Sequence, residues 1–174
     1  IEPDRDQPRK SFDSESLAEL AKSIGEHGVL QPIVVRPSPT GGYKIIAGER
    51  RWRAARQAGL REIPALVREV SDEEALELAL IENLQREDLD PVEEALGYRN
   101  LMERCHLTQE QAAEKLARSR SAVANSLRLL ALPDDVLELL KGGALSSGHA
   151  KAILSIPDAG RQSEAAGIIV RDGL

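Results

Sequence analysis

The chain has 174 residues, of which 41% are hydrophobic and four are aromatic, with 23 Lys and Arg against 29 Asp and Glu and a formal net charge of -6. This composition excludes a disordered chain, and no apolar run approaches the roughly 20 residues that a transmembrane helix needs. No signal peptide is recognisable, so we expect a cytoplasmic protein of one or two small domains that does not bind a membrane. Cys105 is the single cysteine and three His residues are scattered, which excludes an internal disulfide and a zinc-type ligand set.

The negative charge is concentrated in one segment. Residues 1–68 contain 12 basic and 9 acidic residues, residues 69–106 contain 3 and 12, and residues 107–174 contain 8 and 8, which gives segment charges of +3, -9 and 0. Each of the two flanking regions can therefore present a positive face to phosphate. The net charge does not exclude nucleic acid as a partner.

Residues 1–70 predict a small α/β domain. Apolar residues recur at helical spacing behind a predicted capping pair, Ser16 and Glu19, and this amphipathic helix ends at Gly25 and Gly28. The elements predicted next are a β-hairpin with strands at 31–36 and 43–47, a helix at 49–58 and a strand at 63–70.

From residue 71 the pattern predicts helices only. Three residue pairs predict N-terminal caps: Ser71 with Glu74, Asp90 with Glu93, and Thr108 with Gln111. The predicted helices lie near 72–85, 91–105, 109–117, 120–131, 134–141, 147–155 and 159–171. We therefore expect an α+β protein in three parts, at 1–70, 71–106 and 107–174.

The first candidate site is the glycine turn between the second predicted strand and the helix after it. Gly48 lets an anion approach the backbone, and the first turn of the helix that begins at Glu49 supplies backbone N–H donors. Arg50 and Arg51 can bind phosphate through their side chains. This arrangement indicates a phosphate site. The alternative is a solvated basic helix face that closes on Trp52 as a core residue.

Two further segments are weaker candidates for the same site. Glu82 and Asn83 provide hard oxygen donors for a divalent ion on a polyphosphate, and Arg86 can reach a phosphate. The alternative is a polar helix end in which Arg86 pairs with Glu82 or Asp90. Gln7 and Arg9 flank a proline in a stiff polar segment that can fold over a ligand or simply lead into the domain.

Residues 107–130 fit a helix-turn-helix. The apolar positions expected at the helix crossing are Ala113, Leu116, Val123 and Leu127. The second helix has no acidic residue between 118 and 131, which favours DNA binding over an ordinary helical hairpin. Ala117 stands where many such motifs have glycine, and a left-handed conformation there would cost roughly 1 kcal/mol.

The helix predicted near 147–155, which follows two glycines, adds candidate contacts to the DNA backbone. The alternative for His149 is a structural hydrogen-bonding role without DNA contact. The predicted DNA-contacting residues are in total Thr108, Gln109, Ser119, Arg120, Ser121, Asn125, Ser126, Arg128, Gly148, His149 and Lys151.

Six motifs in one order give the chain a family resemblance. They comprise residues 7–9, 28–36, 48–51, 82–86, 119–130 and 145–150. In this order they resemble the ParB family of bacterial chromosome and plasmid partition proteins over nearly the whole chain. The resemblance implies a ParB/sulfiredoxin-like N-terminal domain that binds CTP, followed by a helix-turn-helix domain that recognises the palindromic parS site.

The resemblance also implies a mechanism. CTP with Mg²⁺ closes paired N-terminal domains of a homodimer into a clamp that slides on DNA in the bacterial nucleoid and is reset by slow, parS-stimulated CTP hydrolysis. Residues 48–51, together with Gln7, Arg9 and the region from Ser23 to Gly28, would line the nucleotide site. Glu82 and Asn83 would handle Mg²⁺ and hydrolysis, Arg86 would contact the nucleotide, and residues 71–106 would act as the hinge and clamp surface.

Two further partners follow from the family resemblance. A ParA-type ATPase would bind a tail that is absent from this chain, as is the family's C-terminal dimerisation domain, and SMC/condensin loading is a further implied role. The chain begins with Ile1 rather than Met and ends at Leu174 within a helical pattern. We therefore expect it to be part of a longer protein.

Two rival interpretations stay open. A sulfiredoxin-type ATP-dependent enzyme shares the N-terminal fold but needs a cysteine near the Gly48 turn, where this chain has Glu49. A nucleoid-occlusion or transcription-type DNA-binding protein would use the N-terminal domain only as an interaction module, without turnover.

Overall fold

The computed structural model describes residues 1–3, 14–86 and 88–173, so the predicted ligands Gln7 and Arg9 lie outside the described residues. The chain divides into two compact units, Ile1–Glu82 and Asn83–Leu174. The first unit has a mixed sheet with helices and the second is helical, which confirms the predicted α+β class. Among the described helices, none is both long and apolar enough to cross a membrane.

The first unit is built on a four-stranded sheet. Its elements are β1 (Glu2–Pro3), α1 (Ser14–His27), β2 (Ile33–Pro37), β3 (Tyr43–Ala47), α2 (Glu49–Gln57), β4 (Ala65–Val67) and most of α3 (Asp72–Leu84). The strand order in the sheet is β1-β3-β2-β4. The predicted hairpin is the antiparallel pair β2 and β3, in which Val35 lies opposite Ile45. Two parallel pairs, β1 with β3 and β2 with β4, complete the sheet.

Two apolar clusters hold the first unit together. Ile33, Val35 and Ile45 are almost completely buried on the sheet, and Trp52 of α2 packs against them. A second cluster lies between α1 and α2, where three alanines allow the helices to approach closely around Ile24: Ala21, Ala54 and Ala55. The sheet and α2 thus share one core next to Gly48.

Two local predictions in this unit were wrong in detail. Helix α1 begins at Ser14, so Ser16 lies inside the helix, where its hydroxyl accepts a hydrogen bond from Arg50 instead of capping the first turn. Strand β4 is only three residues long and begins after Pro64, which has no N–H to contribute to a sheet.

The second unit is built of helices, two of which begin at capping pairs predicted from the sequence. Its elements are α4 (Pro91–Arg104), α5 (Gln109–Lys115), α6 (Arg120–Leu129), α7 (Asp134–Lys141), α8 (Ser147–Ile153) and α9 (Ala159–Asp172). Asp90 and Thr108 both form complete capping boxes, as predicted. Ser71 and Glu74 exchange the same reciprocal bonds at the start of α3 in the first unit.

Helices α5 and α6 form the predicted helix-turn-helix. Ala113 and Leu116 of the first helix segment and Val123 of the second are buried, as expected for the crossing, whereas Leu127 is only partly buried. The turn uses the left-handed conformation, with Ala117 at φ 51°. The backbone strain expected from a non-glycine residue there is therefore present, at roughly 1 kcal/mol.

Candidate functional site

Gly48 forms a tight turn between β3 and α2. Its φ is 96°, and a Cβ at this position would lie 2.8 Å from Cγ2 of Ile33. Only glycine meets both the conformational and the steric requirement. Among the described residues no side chain caps α2, so within this part of the chain its first turn keeps unpaired backbone N–H donors at the positive end of the helix dipole.

The charged residues after Gly48 are tied into the first unit. The Glu49 carboxylate, 9% exposed, accepts two hydrogen bonds from Arg53 at 2.8 and 2.6 Å. Arg50 donates to the Ser16 hydroxyl at 3.2 Å. Arg51 donates to the carbonyls of Gln31 at 2.8 Å and Pro32 at 2.7 Å. In this structure the arginines thus fasten the turn to α1 and to the loop before β2.

The Ser23 and Gly28 predictions fall on α1 and its end. Ser23 is exposed, and Gly28 has φ 74° and donates its N–H to the Ile24 carbonyl at 2.8 Å. Arg51 contacts Gln31 and Pro32, which follow this predicted region in the chain. These two bonds hold the Arg51 side chain, in the first turn of α2, against the loop before β2.

The predicted metal residues lie in the last turns of α3. Glu82 is exposed, and Asn83 is partly buried and belongs to the second unit. Arg86 also belongs to the second unit and pairs with Asp88 at 2.6 and 2.9 Å, a different carboxylate from either proposed alternative. No cluster of three His, Cys, Asp or Glu able to hold a metal occurs within residues 1–3, 14–86 and 88–173.

The second unit contains a recess of about 570 Å³ beside α6. Five predicted DNA-contacting residues line it: Ser119, Ser121, Asn125, Ser126 and Lys151. Three cations reach the recess, since Arg86 and Arg118 line it together with Lys151. Hydroxyl, amide and cationic groups therefore converge on one concave surface, a combination suited to phosphates and base edges.

The other predicted DNA-contacting residues lie at helix starts or on exposed faces. Thr108 caps α5, and Gln109 is its first residue. Arg120 and Arg128 are exposed on α6, and Gly148 is exposed on α8. The structure assigns His149 a capping role, because its Nδ1 accepts from the Ser146 N–H at 3.3 Å and its own N–H donates to the Ser146 hydroxyl at 3.1 Å.

Nine residues lining this recess were not predicted as DNA contacts from the sequence, among them Arg118, Ser147 and Glu94. Arg118 and Ser147 were neighbours of predicted residues, and the basic character of residue 118 was a signal that could have identified it. Glu94 of α4 also lines the recess, and the Ser126 hydroxyl donates to its Oε2 at 3.4 Å. The acid-free second helix thus receives a carboxylate from a different element, which helical periodicity cannot reveal.

Comparisons with known proteins match both units. The ParB N-terminal domain model matches residues 1–84, and the ParB HTH domain model matches residues 87–174. The chromosome-partitioning protein ParB of Myxococcus xanthus is 57% identical over 157 residues, which cover 90% of this chain and 53% of that protein. The chromosome-partitioning protein Spo0J of Thermus thermophilus is 58% identical over 156 residues, which cover 90% of this chain and 57% of that protein.

A solved structure gives the same assignment. The C-terminally truncated chromosome-partitioning protein ParB from Caulobacter crescentus, complexed to the centromeric parS site, has a TM-score of 0.82 and 49% identity, and the match covers 99% of this chain and 88% of that one. The chain spans little more than half the length of the two curated relatives. Because models for both units match in chain order, the chain belongs to the ParB family of chromosome-partitioning proteins.

Proposed function

We propose that this chain binds a parS-like centromeric DNA site through its second unit, as part of a chromosome-partitioning protein. The observation that carries this proposal is the recess beside α6, where Arg118, Ser119 and Asn125 stand together with two further cations. The DNA-bound Caulobacter relative supports it, with a TM-score of 0.82 to this chain. Arg120, exposed at the start of α6, is the residue we propose for base reading.

We further propose that the first unit binds CTP. The uncapped start of α2 and the close approach that Gly48 permits supply backbone donors for phosphate, and Arg51 stands beside them. Arg51 would exchange its two carbonyl acceptors for phosphate oxygens, which are stronger partners because they are charged. The preference for cytosine comes from the family resemblance and not from a side chain.

Glu82 and Asn83 are the residues proposed to hold Mg²⁺. Mg²⁺ at nucleotide sites commonly takes one or two protein oxygens, with phosphates and waters as its other ligands, so one carboxylate and one amide fit this ion. When bound, the ion would supply charge neutralisation on the triphosphate. The same proposal has three further parts. Glu82 and Asn83 take part in slow CTP hydrolysis, and Arg86 contacts the nucleotide. Residues 71–106 act as the hinge of a homodimeric clamp.

The proposed partners of the longer protein are a second copy of the chain, a ParA-type ATPase and SMC/condensin complexes. The competing function is a sequence-specific DNA-binding protein whose first unit is only an interaction module. The two differ in nucleotide binding, so the deciding measurement is Mg²⁺-dependent binding of CTP, ATP, GTP and UTP, each with a parS duplex, a scrambled duplex or no DNA. CTP-selective binding strengthened only by parS supports the clamp, and parS binding without nucleotide binding supports the competing function.

Two matched pairs of variants test the individual sites. Arg51→Ala should abolish CTP binding, while Arg61→Ala, an exposed arginine in the same unit, should leave it unchanged. Arg120→Ala should cost about 1 to 3 kcal/mol on parS and less on scrambled DNA, whereas Arg161→Ala on α9 should cost nothing. Unchanged CTP affinity in Arg51→Ala removes the phosphate site, and an equal loss on both duplexes makes Arg120 a phosphate contact.

A further inference from the structure

A carboxylate lies in the recess where negatively charged DNA is proposed to bind. Glu94 projects from α4, and its Oε1 accepts a hydrogen bond of 2.7 Å from the hydroxyl of Tyr98, which is 3% exposed. Its other oxygen accepts from Ser126 of α6. The carboxylate is therefore held from behind by a buried phenol and reaches the helix proposed to read DNA.

Arg118 completes this cluster. It lines the same recess, and its positive charge lowers the pKa of the Tyr98 phenol, opposing the effect of Glu94. Burial, followed by the contact with Glu94, raises the pKa of Tyr98 to about 12, so the phenol stays a neutral donor. Glu94 thus accepts one hydrogen bond from a buried donor and one from Ser126 of the recess, which Arg118 also lines.

A negative charge at this position has two opposing effects on DNA binding. It repels every phosphate that enters the recess, whatever the sequence of the DNA. It also accepts the hydroxyl proton of Ser126, which leaves the Ser126 oxygen oriented as an acceptor, and fixing an acceptor before binding reduces the entropy lost when it contacts a base. The first effect weakens binding to all DNA, and the second strengthens binding only where the base contacts can form.

We propose that Glu94, held by Tyr98, is a specificity-determining residue of the DNA-binding face, which positions Ser126 and lowers the affinity for non-cognate DNA. This inference rests on the proposed parS-binding function and deepens it. Glu94 itself need not touch DNA, so it is a positioning residue whose effect is measured as discrimination between DNA sequences.

The test is Glu94→Gln, which keeps the side-chain shape and removes the charge. We expect binding to a scrambled duplex to strengthen, and the ratio of parS to scrambled affinity to fall at least about fivefold. The slope of log affinity against log salt should steepen by about one, since the variant has one negative charge fewer at the interface. Tyr98→Phe should shift the ratio in the same direction by a smaller factor, because the carboxylate stays but loses its buried donor.

Glu103→Gln is the matched control, since Glu103 is an exposed carboxylate on the same helix. Circular dichroism and thermal unfolding of each variant show whether it is folded, and Tyr98→Phe decides the question if Glu94→Gln does not fold. A ratio and a salt slope that match those of the Glu103→Gln control overturn the inference, as does an equal loss of affinity on both duplexes. If the unaltered chain does not prefer parS, the proposed function itself fails.

Discussion

Replacing Gly48 by alanine tests the structural argument for the glycine turn. The left-handed conformation, with φ 96°, costs a residue with a Cβ about 1 to 2 kcal/mol. The new methyl group would also lie 2.8 Å from Cγ2, 3.1 Å from Cβ and 3.3 Å from Cα of Ile33, which is fully buried on β2. Because these atoms lie at the base of a buried, β-branched side chain and not at the far end of a flexible one, this overlap adds about 1 to 3 kcal/mol. We expect a total destabilisation of about 2 to 5 kcal/mol.

The assay uses the single tryptophan of the chain as a local reporter. Trp52 packs against the cluster of Ile33, Val35 and Ile45, so its fluorescence during urea unfolding follows the first unit. Gly41→Ala is the matched control, since Gly41 has φ 92° and no atom within 4 Å of an added Cβ. The control should lose only the conformational cost of about 1 to 2 kcal/mol. Equal losses in Gly41→Ala and Gly48→Ala would refute the steric argument.

Three further predictions follow from the described contacts. Ala117→Gly should stabilise the second unit by about 1 kcal/mol, because the φ of 51° at this position suits glycine. The measurement is urea unfolding monitored by circular dichroism, and no gain in stability would mean that the strain is absent. A hydrogen bond and ion pair from Arg36 lower the pKa of Asp72. The difference in unfolding free energy between the unaltered chain and Asp72→Asn, measured by Trp52 fluorescence, should therefore shrink below about pH 4. A difference that stays constant with pH would contradict this. The pKa of Tyr98 is raised in the folded chain. The unaltered chain should therefore lose stability relative to Tyr98→Phe between about pH 10 and 12, as measured by urea unfolding. Parallel plots of unfolding free energy against pH for the two proteins would contradict this.

Sequence reasoning located the helices of the second unit well because their start signals are local. Asp90 and Thr108 each cap a helix through residues three positions further on, and Ser119 caps α6 in the same manner. Such bonds need no knowledge of the rest of the fold. The strained conformation of Ala117 was also foreseeable, because the turn between the two motif helices requires it.

The features that escaped prediction depend on distant parts of the chain. Strand β1 has only Glu2 and Pro3, too few residues for any periodicity, and exists because they pair with β3. Arg86 pairs with Asp88, whereas the alternative to a phosphate contact named Glu82 or Asp90 as its partner. Glu94 enters the recess beside α6 only through the packing of α4 against α6, so no pattern within either helix could place it there.

The connectivity of the sheet gives the two units different folding kinetics. In the first unit, Glu2 pairs with Lys44 and Ile33 pairs with Ala65, so the sheet closes only after long chain segments have been brought together. The second unit instead packs short helices that follow one another closely along the chain. Folding rates fall as contacting residues lie further apart in sequence, because the entropy of loop closure is lost before the contacts form. During refolding from denaturant, helical signal should therefore recover before the Trp52 environment, and the glycine turn at residue 48 should be completed late.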